Sequence, residues 1–535
     1  MRLSLGKARP RGAGGKEAPR GLELRPQSLP MGGAIASRAN IRPMFEAAEI
    51  GHRVDDEDYD ARVPALRVRL LNAQYELLET KKVSVVVVVA GVDGAGKGDT
   101  INLLQSWLDP RLVRVHGIGA PTEAEKERPP FARFWARLPP RGNTGVFMGS
   151  WYSKPILDRA FRRTKNTHLD SSMEHIRRFE RMLTHENVVL VKLWFHLSKK
   201  EQKKRLHRLE KDPKTRWRVT AKDWEHFKLY DRFRKVSARA IRETSTDFAP
   251  WLVVSGNDAN YRQLTVAQAL VTAMERANAA PERQPPDPHV SPTPPEVDGR
   301  TVLDTLDLSK TLAKKKYRAR LEELQGQLSM LVRDKKFHDN GSLVCVFEGA
   351  DAAGKGGAIR RAVGALDARH YHIVPIAAPT DEEAARPYLW RFWRHIPGRG
   401  RVVIFDRSWY GRLLVERVEG FAAKGDWMRG YAEINEFEEQ LVEHGIRVAK
   451  LWLQISPEEQ LRRFEERQQT GFKRFKITDE DWRNREKATQ YRDAINDMIE
   501  RTSTELAPWT LVEANDKRYA RIKVLETLVK TLSER

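Results

Sequence analysis

The chain has 535 residues, of which 40% are hydrophobic and 31% charged, and its 95 Lys and Arg outweigh 73 Asp and Glu to a formal net charge of +22. At roughly 100–200 residues per domain this length suggests two to four domains, with enough apolar residues for real cores. The charge points to a polyanionic partner, whether nucleic acid, anionic membrane or a phosphate polymer, while the single cysteine, Cys345, excludes an internal disulfide framework and fits a reducing, cytoplasmic compartment.

Residues 1–43 are rich in Gly, Pro and Arg and are expected to form a disordered basic tail. They carry no hydrophobic core of a secretory signal, and Met31 and Met44 are alternative starts to Met1. The segment "ARVPALRVRLLNAQYELLET" predicts a helix that leads into "VSVVVVVA", 83–90. The latter is too short and too β-branched for a membrane span and reads as a buried parallel strand. The Gly-rich loop "GVDGAGKG", 91–98, then hands over to a helix, and "TGVFM" and "VVLVKLWFHL" are later strands.

A first domain is thus expected over 44–278. The Pro-rich stretch 279–299 reads as an extended linker. A second domain is expected over 300–535. It repeats the order: the helix "AKKKYRARLEELQGQLSMLVRDK", the strand "SLVCVFEG" with Cys345 inside it, the loop "GADAAGKG" at 349–356, and the strands "RVVIFD" (401–406) and "RVAKLWLQI" (447–455). Lys97 and Lys355 mark the period, 355 − 97 = 258. "RFW" (133–135 and 391–393), "SWY" (150–152 and 408–410) and "TSTDFAPW"/"TSTELAPW" (244–251 and 502–509) recur at the same offset, so the chain is a duplication without net insertion. Strands alternating with helices imply an α/β fold with a parallel sheet covered on both faces.

The loop of the second half approximates G-x-x-x-x-G-K-[ST], with Gly349, Gly354 and Lys355 in place but Gly356 where a metal-binding hydroxyl usually stands. Its backbone N–H groups and the helix start are expected to face a phosphate. An acid inside a phosphate loop calls for a cation between them. Asp351 therefore reads either as a metal ligand replacing the hydroxyl or as a turn cap. Asp406, closing an apolar strand, reads as a Walker B carboxylate or as a helix cap. Arg407 and Arg412 follow it, placed to clamp a transferring phosphoryl group. At the 258-residue offset the first half keeps Asp93 and Lys97. Met148 stands for Asp406, Gly149 for Arg407, Lys154 for Arg412 and Asp99 for Gly357. Methionine is no useful magnesium ligand, so the first half is expected to be catalytically weak or dead, with phosphate-chain binding or support of assembly left to it.

These motifs resemble the polyphosphate kinase 2 family in its tandem-domain form. The resemblance is carried by "GADAAGKGG", "FDRSWYGR" with "LVERVEGF", "KRFKITDEDW" and "TSTELAPW", and it spans both halves from about Met44. It implies a P-loop kinase α/β/α sandwich similar to thymidylate kinase, duplicated in tandem. It further implies phosphoryl transfer from inorganic polyphosphate to AMP, giving ADP, in the second half. By this resemblance Asp351 and Asp406 hold Mg2+, with Mn2+ as an alternative, and Lys355, Arg407 and Arg412 surround the phosphoryl centre. Gly349, Gly354, Gly356 and Gly357 cradle phosphate, as do Arg474 and Lys476 of a lid at 473–482, matched in the first half by Arg216 and Arg218 beside Lys97. A homo-oligomer is expected, with no nucleic acid and no membrane as partner.

Three other readings compete with it: a nucleoside diphosphate acceptor or synthesis of polyphosphate in reverse, a basic nucleic-acid-binding ATPase, and a non-catalytic polyphosphate scaffold. In "WRFWRHIPGRG", 390–400, Phe392 and Trp393 are expected to pack in the core and Arg391 and Arg394 to face the phosphate site. Trp194 and Trp452 are expected in matching cores. The fourteen histidines show no metal-ligand spacing and read as surface or helix-end residues.

Overall fold

Apolar, β-branched-rich runs form the central strands, buried on both faces, and shorter, half-exposed strands flank them. In the first half these are β1 (Ser84–Gly91), β2 (Val113–Gly117), β3 (Thr144–Met148), β4 (Val188–His196) and β5 (Trp251–Ser255). In the second they are β6 (Ser342–Gly349), β7 (Tyr371–Pro375), β8 (Val402–Asp406), β9 (Ile446–Gln454) and β10 (Trp509–Glu513). The computed structural model describes residues 44–280, 300–471 and 479–534. The basic tail and all but the start of the Pro-rich linker lie outside those residues.

Every strand pairing is parallel, in two five-stranded sheets ordered β2-β3-β1-β4-β5 and β10-β9-β6-β8-β7. Counted within each half the order is the same, 2-3-1-4-5, which is the duplicated parallel α/β architecture expected from the repeat. The lead-in helices Asp56–Thr80 and Lys314–Arg333 pack beside the last helices, Ala259–Ala279 and Lys517–Ser533, on one sheet face. That face is aliphatic: Leu70, Leu77, Leu270 and Met274 cover β1, and Leu324, Leu328, Leu525 and Leu528 cover β6 with its buried Cys345.

Aromatic rings in edge-to-face and tilted contacts mark the other layer, Phe134, Phe147, Trp151 and Phe179 in the first half and Phe392, Phe405, Trp409 and Phe437 in the second. Here the halves meet. Trp135 and Trp393, each the last residue of an "RFW", stack with centroids 5.9 Å apart. Arg128 Nε donates to Ile396 O (3.0 Å), and its repeat mate Arg386 Nε donates to Leu138 O (3.3 Å). Since 386 − 128 and 396 − 138 both equal 258, the seam is reciprocal, as in a two-fold dimer.

"SWY" and "TST..APW" are also explained. In the second half Trp409 Nε1 and Tyr410 OH donate to Glu438 Oε1 (3.0 and 2.7 Å). Lys450 Nζ donates to Glu438 Oε2 (2.7 Å), Tyr410 OH (3.0 Å) and Thr502 O (2.6 Å), and Trp509 Nε1 donates to Thr502 Oγ1 (2.9 Å). The first half repeats it with Trp151, Tyr152, Glu180, Lys192, Thr244 and Trp251. Both lysines are fully buried. Burial pulls each below the ordinary lysine pKa, opposed by its glutamate.

Trp194 and Trp452 are buried on equivalent strands, as expected. One histidine departs from the surface expectation. His196 is buried, stacked on Phe45 at 4.4 Å and bonded through Nε2 to Glu49 (2.6 Å), because the short helix Glu46–Glu49 caps that strand end. None of the described helices is long and apolar enough to cross a membrane.

Candidate phosphate-transfer site

Strand β6 ends on Glu348 and Gly349. Gly349 sits at φ 150°, and a Cβ there would run into the Leu453 backbone of β9, so only glycine fits. The loop turns through Ala352 (φ 61°) and Gly354 (φ 106°) into the helix Lys355–Val363. The free N–H groups of that helix start face the loop mouth. A side chain built on Gly354 or Gly356 would meet nothing within 4 Å, and Gly357 follows in the same turn. Behind the loop the buried Arg463 donates to Ala352 O (2.9 Å), Ala353 O (3.2 Å), Ala514 O (2.8 Å) and Asn515 O (2.8 Å). Gln460 Nε2 holds Asp351 O (3.3 Å). These bonds keep Ala352 left-handed, a conformation costing about 1–3 kcal/mol for a residue with a side chain.

Lys355 folds back over the loop, its Nζ donating to Gly349 O at 2.7 Å. Asp351 points one oxygen at Arg407 (3.6 Å), and the other accepts from Asn484 Nδ2 (2.8 Å). Asp406 ends β8 one rung below Glu348, in register with Phe347. Glu348 is buried and accepts from Ser408 Oγ (2.8 Å). Burial holds its carboxyl above the usual range and Asp406 pushes the same way, while Ser408, Lys355 and Arg407 oppose. Three carboxylates and two cations thus surround the loop. Arg407 is itself at φ 65°.

Among the site residues expected from sequence, Asp351, Lys355, Asp406 and Arg407 gather here with the loop glycines. Arg412 makes its close contacts elsewhere, with Glu416 (3.1 Å) and over the Tyr388 ring (4.1 Å). Glu186 of the first half reaches the same cluster, accepting from Tyr388 N (3.2 Å) and lying 3.6 Å from Arg429. Burial lowers the Arg412 pKa, but Glu186 and Glu416 outweigh it and hold the guanidinium above its ordinary value. Arg391 pairs with Glu383 (3.3 Å) and Arg394 with Glu382 (3.5 Å). Their closest acids are thus on the neighbouring helix, and the expected phosphate-facing role is not seen in these contacts. Phe392 and Trp393 are core. Arg474 and Lys476 lie outside the described residues.

Sequence reasoning missed Glu348, Arg463 and Asn484. Glu348 had a signal: an acid closing an otherwise apolar strand, with Ala90 as its counterpart.

In the first half Lys97 Nζ makes the same bonds, to Gly91 O (2.7 Å) and Val92 O (2.9 Å), with Asp93 at 3.7 Å. Asp93 is bonded to His226 (2.8 Å), and Arg218 pairs with Asp99 (3.1 Å). Gly94 (φ 77°) and Gly149 (φ 84°) stand where Ala352 and Arg407 are left-handed. The strain of the second half is relaxed in its copy.

A glycine-rich loop between the central strand and a helix, a carboxylate closing the neighbouring strand, and a parallel 2-3-1-4-5 sheet define a P-loop phosphotransferase. The family model of polyphosphate kinase 2 matches residues 53–282 and 311–535, and the chain belongs to that family. It is 54% identical over 485 residues to a polyphosphate:AMP phosphotransferase of Pseudomonas aeruginosa, covering 91% of this chain and 98% of the relative. A protein of the same name from Acinetobacter johnsonii is 38% identical over 475 residues, or 87% and 95% of the two chains. A crystal structure of a polyphosphate kinase 2 from Pseudomonas aeruginosa superposes with a TM-score of 0.82 at 51% identity, covering 92% of this chain and 98% of that one.

Proposed function

We propose that this protein transfers the terminal phosphoryl group of inorganic polyphosphate to AMP, giving ADP, and that the second half carries the reaction. The observation supporting that assignment is the asymmetry of the loops: Glu348, Asp406 and Arg407 surround the second, where the first has Ala90, Met148 and Gly149.

An ionised phosphate oxygen of AMP attacks the terminal phosphorus, and the bond to the next bridging oxygen breaks. The shortened chain leaves with the electron pair. The acceptor is already an anion, so no general base is required. The backbone N–H groups of 354–356 bind the phosphoryl oxygens, the Gly357 N–H being bonded to Gly354 O (3.0 Å). Lys355 exchanges its loop carbonyls for phosphate, and Arg407 neutralises charge as it spreads over the equatorial oxygens. Gly349, Gly354, Gly356 and Gly357 allow the close approach, and the net charge of +22 favours a polyanion by counterion release.

No three metal-ligating side chains converge among the described residues. Mg2+ suits the site nonetheless, because it takes one or two carboxylates with phosphate oxygens and water. Asp351 and Asp406 offer hard oxygens on either side of the mouth. Asp351 and Asp406 would hold Mg2+ (or Mn2+) there, and the ion would offset the charge of the phosphates. The same reading puts the protein in the cytoplasm as a homo-oligomer.

The test is ADP formation from AMP and polyphosphate, with and without Mg2+. ADP appearing only with all three components supports the reading. Equal or faster consumption of ADP than of AMP as acceptor, or ATP hydrolysis stimulated by nucleic acid, overturns it.

A further inference from the structure

One contact across the seam between the halves has no mirror image. Glu186 caps the C-terminus of the helix Asn166–His185, where the last carbonyls disfavour a carboxylate. Its Oε2 accepts from Tyr388 N (3.2 Å), and its Oε1 lies 3.6 Å from Arg429 Nη2. That guanidinium nitrogen is buried and makes no hydrogen bond. The two side chains are only 11% and 6% exposed. Asp426 (2.9 Å) and Glu433 (3.3 Å) hold Arg429 from its own helix. At the 258-residue offset Glu186 becomes His444, Tyr388 becomes Pro130 and Arg429 becomes Ser171. Proline has no N–H to donate, so the first half receives no such bond from the second.

Tyr388 carries the contact inward. It lies between Arg386, which donates to Leu138 O, and Trp393, which stacks on Trp135, so the first half grips the segment 386–393 on either side of it as well as at it. The Tyr388 OH donates to Trp409 O (2.9 Å) and accepts from Arg412 N (3.0 Å). Those two groups stand three residues apart, the pair that closes a 3-10 turn, so the phenol clamps that turn from outside. The Arg412 guanidinium covers the same ring at 4.1 Å. The clamped turn, Trp409–Arg412, directly follows Asp406, Arg407 and Ser408, and its cap Ser408 donates to Glu348 (2.8 Å). In the first half, with Pro130 in place of Tyr388, the equivalent stretch runs on as one helix, Ser153–Ala160.

We infer that Glu186 of the first half is a positioning residue for the transfer site of the second, holding Tyr388 so that its phenol clamps the turn after Asp406 and Arg407. The inference rests on the reading that the second half carries the reaction. Glu186 makes no bond to the loop 349–355 among the described residues, so its effect passes through Tyr388. Arg407 stands at φ 65°, and a left-handed residue with a side chain persists only where its surroundings over-determine it. Fixing the turn that follows supplies part of that constraint and aims the guanidinium at the loop mouth. The first half has Gly149 at this position and needs no clamp, which accounts for the contact being one-sided. The half that lacks the second carboxylate is thus an activating part of its partner's site.

The test is steady-state ADP formation from AMP and polyphosphate by variants of the full chain, at a temperature where calorimetry shows each to be folded. Activity of the parent chain checks the underlying reading, and the variants check the inference. Glu186→Ala is expected to lower kcat about tenfold, as for loss of one buried hydrogen bond, with KM for AMP within about twofold. Glu186→Gln keeps an acceptor for Tyr388 N and is expected to stay within about threefold of the parent. Tyr388→Phe keeps the Glu186 contact but removes the clamp, and is expected to lose about tenfold. Both changes act on one path, so Glu186→Ala combined with Tyr388→Phe is expected to lose no more than Tyr388→Phe alone. Should Glu186→Ala fail to fold, Tyr388→Phe decides by itself. With an active parent, a kcat within about twofold of it in folded Glu186→Ala or Tyr388→Phe, a Glu186→Gln as slow as Glu186→Ala, or losses that multiply in the double variant, would each refute the inference.

Discussion

Replacing Lys450 by methionine removes one charge from a site closed to solvent. The ammonium donates to Glu438, Tyr410 and the Thr502 carbonyl, all within 3.0 Å, and both members of the ion pair are at most 2% exposed. Without it Glu438 keeps its bonds from Trp409 and Tyr410 but has no counter-charge. Removing one partner of a buried pair costs about 3–5 kcal/mol. For a unit the size of one half, each kcal/mol lowers Tm by about 2–4 °C, so a fall of roughly 6–20 °C is expected. The assay is scanning calorimetry of the full chain, with Lys192→Met in parallel, since Lys192 makes the same bonds to Glu180, Tyr152 and Thr244. Both variants are expected to lose similar stability. At a temperature where both stay folded, only Lys450→Met is expected to lose activity, because Trp409 and Tyr410 directly follow the Asp406–Ser408 turn. A Tm within about 2 °C of the parent for Lys450→Met would refute the argument that this pair holds the layer together.

Lys355→Ala is expected to lower kcat for ADP formation by about 100-fold or more, and Lys97→Ala by less than about twofold; equal losses would sink the division of labour between the halves. Arg407→Gly is expected to raise stability by about 1 kcal/mol, by relieving the left-handed residue, while nearly abolishing transfer, which calorimetry and the ADP assay read separately. Burial, together with Glu186, pushes Glu433 up to about 8 against Arg429 and Arg412. A carboxyl raised on folding stabilises fully below its unfolded pKa of about 4.5, and that contribution is lost as pH rises through 8. Glu433→Gln should therefore flatten the fall in stability between pH 5 and 8, by up to about 1.4 kcal/mol per pH unit, in urea titrations at stepped pH.

Much of this was legible in the sequence because the chain is written twice. Uninterrupted Val and Ile runs specify buried parallel strands, and loops recurring at one offset locate the site and show which copy lost Asp406 and Arg407. What stayed hidden depends on partners distant along the chain. Lys450 and Glu438 each look like ordinary charges until a helix and a strand bring them together. Arg463 sits on a polar helix, with nothing local to mark its grip on the loop. "RFW" reads as core in either half, and only the fold shows that Trp135 and Trp393 meet. Backbone strain left a trace that is clear in retrospect: the first half has glycine at both positions, 94 and 149, where the second is left-handed without it.

The reciprocal seam explains how one copy could drift. In a dimer of identical chains every substitution appears on both sides of the axis, so a lost ligand is lost twice. Joining the partners end to end removes that constraint. The shared chain keeps them at a fixed one-to-one ratio and at high effective concentration, so contacts such as Arg128–Ile396 and Arg386–Leu138 persist while the clefts evolve independently. The molecule is a tethered pair in which one member could do without the carboxylate and arginine that the other keeps.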